Sequence, residues 1–331
     1  MCVTKETPLP ILMAPLRHSK PIFSLIVPTC NAMGHWAALR SGIEMQSVVP
    51  NQVIIIDSCS TDRTVECARS AGFDVMEIQR EEFNHGGTRQ RAAEAASGAS
   101  ILLYMTQDAI LNDPDAFKKM LGAFDDPTIG AAFGRQLPIQ TANPMEAHAR
   151  NFNYPATSRV RTFECRYELG FKSIFFSNSF GAYRRAALMS VGGFPDDVIF
   201  GEDTVVTARL HRAGWKTAYV AEACVQHSHR YSIAEEFQRY FDIGVLHGRE
   251  RWLIEQFGAA NGEGKRFVSS ELRYLLRNNA FLIPMAVFRS ATKYLAYQLG
   301  LREKQLGLWL KCQLGKNKSY WLQSPKESQR H

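Results

Sequence analysis

Five short stretches of this sequence carry side chains that could do chemistry together. In the first, Val53-Ile54-Ile55-Ile56-Asp57-Ser58-Cys59-Ser60-Thr61-Asp62, a carboxylate stands just past an apolar run. A carboxylate at a strand end can accept the imide N–H of uracil or thymine, and the polar run after it can equally cap the next helix. The second, Asn84-His85-Gly86-Gly87-Thr88-Arg89, lies at a helix start. Paired glycines allow close backbone approach to a ligand, a helix N-terminus favours an anion, and Arg89 adds charge near a diphosphate; a plain glycine turn reads the same stretch. In the third, Met105-Thr106-Gln107-Asp108-Ala109, Asp108 can coordinate Mg2+ or Mn2+ that bridges phosphates, or cap a helix. The fourth, Phe200-Gly201-Glu202-Asp203, opens a helix with adjacent carboxylates. Such a pair suits removal of a hydroxyl proton, although acidic residues also complement a helix dipole. The fifth is His227-Ser228-His229-Arg230-Tyr231. Alternate residues of an extended segment face opposite ways, so one histidine, His227 ahead of His229, is the candidate to join Asp108 on a metal.

These residues need a scaffold that gathers them, and the hydrophobic pattern supplies one. Residues 22–28 and 53–56 read as buried strands, with a helix between them from His35 to Gln46. Strand, helix, strand at this spacing implies parallel pairing. Thr61 to Ala71 reads as a helix, Asp74 to Gln79 as a strand, Gly87 to Ser97 as a helix and Ser100 to Met105 as a strand. The first ~110 residues thus form a doubly wound α/β pattern, a Rossmann-like parallel sheet flanked by helices. Asn31, Asp57 and Asp108 all fall just past strand carboxyl ends, where open α/β sheets bind ligands. Residues 138–175 read as a long substrate loop with some helix, Ala182 to Val191 and Asp203 to Ala213 as helices, and Lys216 to Val220 as a short strand. From Ile233 the chain reads as helices. The expected division is a flexible tail over 1–21, a catalytic domain over 22–235, a basic helical extension over 236–323 and a second tail over 324–331.

The chain of 331 residues is 45% hydrophobic and 21% charged, enough for a sizeable core. Its seven cysteines include no Cys-x-x-Cys pair, which argues against a zinc ribbon, and their odd count without a framework fits a reducing cytosol better than secretion. No run approaches the ~20 apolar residues of a membrane span. The formal charge is +7, and the excess is late: nine basic residues against two acidic ones between Ser269 and Trp321. Basic helices interleaved with Phe, Leu, Tyr and Trp suit an anionic membrane surface. No nucleic-acid motif accompanies them, so nucleic acid is not an expected partner.

In their order, the five stretches resemble the family 2 glycosyltransferases of the GT-A fold, over roughly residues 22–245. Ile26-Val27-Pro28-Thr29-Cys30-Asn31 looks like the family's opening, with Cys30 where an aromatic is usual. The resemblance implies a donor site from Pro28, Thr29, Asn31, Asp57, Asn84, His85, Gly86, Gly87, Arg89, Gln107 and Asp108, with Asp57 on the base and Asp108 on the metal. It implies Asp203 as catalytic base beside Glu202, and Asn178, Tyr154 and Glu202 near the sugar or acceptor. Phe83-Asn84-His85-Gly86-Gly87-Thr88-Arg89, the Asp108 stretch, Ser177-Asn178-Ser179 and Tyr240-Phe241-Asp242-Ile243-Gly244 after the histidines resemble bacterial rhamnosyltransferases of surface polysaccharides such as O-antigen. That subgroup implies a dTDP-L-rhamnose donor, a lipid-linked glycan acceptor and a cytoplasmic location, peripheral on the inner face of the membrane. A nucleotidyltransferase is the rival enzyme, but its Gly-rich loop would directly follow the first strand. A non-catalytic component of a polysaccharide-synthesis complex is the other rival, and the intact Glu202-Asp203 pair argues against it. The sequence leaves the oligomeric state open.

Overall fold

The computed structural model describes residues 22–96, 98–227, 231–258 and 261–323. The expected tails over 1–21 and 324–331, and His229, lie outside the described residues.

Eight strands form one sheet: β1 (Phe23–Thr29), β2 (Gln52–Asp57), β3 (Asp74–Glu77), β4 (Ile101–Met105), β5 (Ile129–Leu137), β6 (Arg159–Arg161), β7 (Phe180–Arg184) and β8 (Lys216–Gln226). Their order is β3-β2-β1-β4-β7-β5-β8-β6. The first four pair in parallel, as the βαβ spacing requires. Continuous apolar runs fill them because both faces are covered. Leu25, Val27, Leu103 and Met105 point to one core, with Phe117 and Met120 packed on them. Ile26, Ile56, Leu102 and Tyr104 point to the other, against Ala92, Ala93 and Phe194. This alternation along each strand makes a three-layer α/β/α sandwich.

The covering helices are α1 (Met33–Glu44), α2 (Thr64–Ser70), α3 (His85–Ala95), α4 (Ala116–Gly122), α5 (Pro144–Asn153), α6 (Arg166–Leu169), α7 (Arg185–Ser190) and α8 (Glu202–Arg212). After them come α9 (Ile233–Arg249), α10 (Arg251–Phe257), α11 (Asn261–Asn278), α12 (Ile283–Leu301), α13 (Leu308–Leu314) and α14 (Lys318–Gln323). A third core joins Val205 and Ala208 of α8 to Phe241 and Val245 of α9, Ala296 of α12 and Trp321 of α14. The backbones of α9 and α12 touch at their glycines. A Cβ on Gly244 would lie 2.3 Å from the Tyr297 carbonyl oxygen, and one on Gly300 2.1 Å from that of Phe241.

Three elements depart from the sequence expectations. Ala182 to Val191 is not one helix: β7 occupies Phe180–Arg184 and the helix starts at Arg185. The strand is inserted antiparallel between β4 and β5, and its small Gly181 and Ala182 fit the crowded sheet centre. The strand beginning at Lys216 runs to Gln226, past a register shift between Gly134 and Arg135. Residues 138–175 hold α5, β6 and α6 rather than a mostly irregular loop.

Candidate active site

The ends of β1 and β2 are locked side by side. Asp57 ends β2 in register with Thr29 of β1. Its carboxylate accepts from the Thr29 hydroxyl at 2.7 Å, the Ser60 N–H at 2.7 Å and the Ser60 hydroxyl at 2.6 Å. Asp57 is 0% exposed. In this conformation both oxygens are engaged by the protein, and Asp57 shapes the loop above it. Asn31, at φ +49°, accepts from the Thr61 N–H at 2.8 Å, and its own N–H donates to Ser60 Oγ at 2.7 Å. Pro28 is half-buried one residue before Thr29. Gln107 joins this loop to β4: Cys30 N–H donates to its Oε1 at 2.8 Å, and its Nε2 donates to the Cys30 carbonyl at 3.2 Å.

Asn84 caps α3, accepting from the Gly87 N–H at 2.5 Å. The Gly86 position serves packing. A Cβ there would stand 1.7 Å from the Pro195 carbonyl oxygen, so protein backbone occupies the space expected for a ligand. The neighbouring His85 ring lies between Phe83 and Phe200, with centroids 5.2 and 6.1 Å away. Burial lowers its pKa, with Glu202 opposing the shift, and its side chain bonds Asn317 from the distant C-terminal segment.

Arg89 is buried and engaged within the protein. Its Nη1 donates to the His85 carbonyl at 2.8 Å and pairs with Glu202 Oε1 at 3.1 Å, with side chains only 8% and 5% exposed. The expected phosphate contact is thus replaced by a buried ion pair, because a charge this deep needs a partner within the protein.

Glu202 and Asp203 open α8 after Gly201, which takes φ +78° to turn the chain. Asn178 holds both carboxylates: its Nδ2 donates to Glu202 at 2.9 Å and its backbone N–H to Asp203 at 3.3 Å. Asn178 Oδ1 accepts from Tyr183 at 2.8 Å, so the amide expected near the sugar is engaged behind the carboxylates. Tyr154 is likewise in the core, its hydroxyl bonded to Ser177. The two carboxylates separate electrostatically. Burial works to raise Glu202, but Arg89, then His85 and Asn178, hold it below the usual range. Burial, then the Glu202 charge, pushes Asp203 up to about 7. One carboxylate stays ionised beside an arginine while its neighbour is poised to take a proton near neutrality, the tuning a general base needs.

Asp108, at the end of β4, faces His227 across 3.3 Å from Oδ1 to Nε2. His227 Nδ1 lies 2.9 Å from Gln136 Oε1. An Nδ1–H bond to that amide oxygen leaves Nε2 as the basic nitrogen, the outer-shell arrangement that prepares a histidine for a metal. Gln136 also donates to Ser177 at 2.8 Å and accepts from Arg150. Among the described residues no group of three or more His, Cys, Asp or Glu gathers at one point. Asp108 and His227 supply an oxygen and a nitrogen donor that would suit a divalent cation.

Residues 24–192 match the domain described as Glycosyl transferase family 2. The chain belongs to that family. This glycosyltransferase is 45% identical over 299 residues, 90% of its length and 95% of the relative's, to the O-antigen chain rhamnosyltransferase RfbN of Salmonella typhimurium. It is 44% identical over 302 residues, 91% of its own length and 96% of the relative's, to the O-antigen chain rhamnosyltransferase WbaN of Salmonella anatum. Among solved structures it resembles the mannosyltransferase PcManGT of Pyrobaculum calidifontis in complex with GDP-Man and Mn2+, with a TM-score of 0.54 and 19% identity over 92% of this chain and 86% of that one. S. aureus TarS 1-349 in complex with UDP-GlcNAc gives a TM-score of 0.52 and 16% identity over 86% and 91%. The expected GT-A fold, with C-terminal helices, is the one present. Sequence reasoning missed Gln136 and Asn317. Gln136 sits on an unforeseen strand, and Asn317 comes from more than 100 residues beyond the Glu202-Asp203 pair, with no local signal.

Proposed function

We propose that this glycosyltransferase transfers L-rhamnose, with inversion, from dTDP-L-rhamnose to a lipid-linked surface glycan of O-antigen type. The observation that carries the reading is the identity to RfbN along nearly the full length of both chains. The carboxylate geometry supports single displacement. Asp203 accepts the proton of the acceptor hydroxyl as that oxygen attacks the anomeric carbon, and the nucleoside diphosphate leaves from the opposite face. Asn178 fixes the direction of both carboxylates, and Glu202 remains charged against Arg89. Asp108 and His227 are the residues that would hold Mg2+ or Mn2+, which when bound supplies charge neutralisation to the leaving diphosphate. Asp57 and Asn31 shape the nucleoside loop. A donor panel tests the reading: dTDP-L-rhamnose should release dTDP with acceptor present, while UDP- and GDP-sugars should release little UDP or GDP. Preferred turnover of a UDP- or GDP-sugar would overturn the rhamnose assignment.

We also propose that residues 22–235 act as the catalytic domain, and that residues 236–323, an extension packed on α8, complete it on one side and rest on the inner face of the cytoplasmic membrane on the other. Phe281 is 96% and Trp309 71% exposed, and Phe288 and Leu308 are exposed beside them in sequence. Arg273, Arg277, Arg302 and Lys304 are exposed on the same segments. No helix among the described residues is long and apolar enough to cross a membrane. Aromatic side chains among cations suit shallow insertion into an anionic surface. Replacing Phe281 and Trp309 by serine should reduce co-sedimentation with vesicles of anionic phospholipid several-fold. Unchanged sedimentation would count against this surface.

A further inference from the structure

Engagement of Arg89 by Glu202 leaves the leaving diphosphate without the arginine that the sequence offered it. We infer that Arg239 of α9, flanked by Arg150 and Lys316, is the cation that meets the donor's diphosphate. This rests on the sugar-transfer reading above and adds a residue to it.

The placement of Arg239 points to this role. Its guanidinium carbon lies 4.8 Å from the centre of the Phe200 ring and 5.9 Å from that of Tyr231. Phe200 is three residues before the base Asp203, and its other neighbour is the His85 ring at 6.1 Å. The stack therefore sets Arg239 against the residue that precedes the α8 opening, and its charge acts on His85 at the start of α3. Stacking on two aromatic rings also fixes the plane of a guanidinium, which preserves its forked donors for an anion.

The balance of charge points the same way. No carboxylate among the described residues pairs with Arg239, Arg150 or Lys316 within ion-pair distance, whereas Arg89 and Arg289 are paired with Glu202 and Glu236. The three cations converge near Tyr231: Lys316 Nζ is 4.8 Å from its ring centre, and both arginines act on its hydroxyl. Arg150 is turned inward by its bond to Gln136, the same amide that holds His227. The cluster thus adjoins the Asp108–His227 pair, and the Asp108 charge acts on both Arg150 and Tyr231. A diphosphate that gains charge as its bond to the sugar breaks is stabilised by such fixed, partly desolvated donors.

Asp242 maintains this wall. It accepts from the Lys316 N–H at 3.2 Å, the Asn317 N–H at 3.2 Å and Asn317 Nδ2 at 2.8 Å, which ties the segment carrying Lys316 to the helix carrying Arg239.

Calorimetric titration of the full-length protein with dTDP and with thymidine tests the assignment. Arg239→Gln should weaken dTDP binding by about tenfold or more, as loss of a charged hydrogen bond does, and leave thymidine binding unchanged. Arg239→Lys, which keeps the charge and loses the fork, should fall between. The acid limb of the pH–rate profile should keep its position in both variants. Wild-type affinity for dTDP in Arg239→Gln overturns the inference and leaves the transfer reading intact. The inference also fails if the variant raises KM for a phosphate-linked acceptor without touching dTDP affinity. A wild-type protein that binds no nucleoside diphosphate overturns both.

Discussion

Asp203→Asn should lower kcat/KM for sugar transfer by about 10^2–10^4-fold, the usual worth of a positioned base, while dTDP still binds. Asp203 accepts from the Asn178 N–H on Oδ2 at 3.3 Å and from the Thr204 N–H on Oδ1 at 2.7 Å; the single carbonyl oxygen of an asparagine can keep the shorter bond and gives up the longer one. The ability to take a proton is lost with it. The substitution should also stabilise the protein above neutral pH. The folded carboxyl titrates near 7 against an ordinary 3.8, so between these values the folded state holds a proton that the unfolded chain has released. Stability of the native protein therefore falls as pH rises through that window, and the penalty is complete above about 7. Asparagine removes it. Thermal melts should show the variant ahead at pH 8, each kcal/mol being worth about 2–4 °C in a domain of roughly 200 residues, and level with the native protein below pH 3.8. A variant that loses activity but also melts lower at pH 8 would mean that the carboxylate is supported by contacts the asparagine cannot reproduce.

Glu202→Gln should have two separate effects. It leaves the Arg89 charge buried with only neutral acceptors beside it, and breaking a buried pair from one side costs about 3–5 kcal/mol. Glu202 is held below its ordinary 4.5, so its stabilising contribution is present above that value and is lost as pH falls through the folded pKa. The difference between native and variant melts should accordingly shrink in acid. The second effect is on the base. The Glu202 charge is the second-largest cause of the raised Asp203 pKa, after burial. Its removal, with Arg89 left in place, should move the acid limb of the pH–rate profile downward. An unmoved limb would show that burial alone sets the base.

The sheet was readable where apolar runs are continuous. β2 and β4 have fully buried ends, and their runs stop at Asp57 and before Asp108. The Glu202-Asp203 start of α8 was readable because adjacent carboxylates at a helix opening need no long-range contact to be noticed. β7 was hidden because its Gly181-Ala182 centre leads straight into helix formers at Ala186, Ala187 and Leu188. β5 was hidden by its own small residues, Gly130, Ala131 and Ala132, which carry little strand preference until the sheet closes around them. The protein partners of Asp57, Gly86 and Arg89 escaped local reading for a common reason. Their partners, Thr29, Pro195 and Glu202, are 28 to 113 residues away, and no local pattern shows that a carboxylate, a backbone or a guanidinium has already been met by the protein.

Asp203 stands at the centre of the proposed chemistry, as the proton acceptor of a sugar transfer whose neighbours tune it to neutrality. The pH dependence of kcat/KM with dTDP-L-rhamnose, compared between the native protein and Asp203→Asn, tests this most directly. The native rate should rise with pH through about 7, and the residual rate of the variant should lack this limb. The same limb in both proteins would contradict the assignment, because the titrating group would then be another residue.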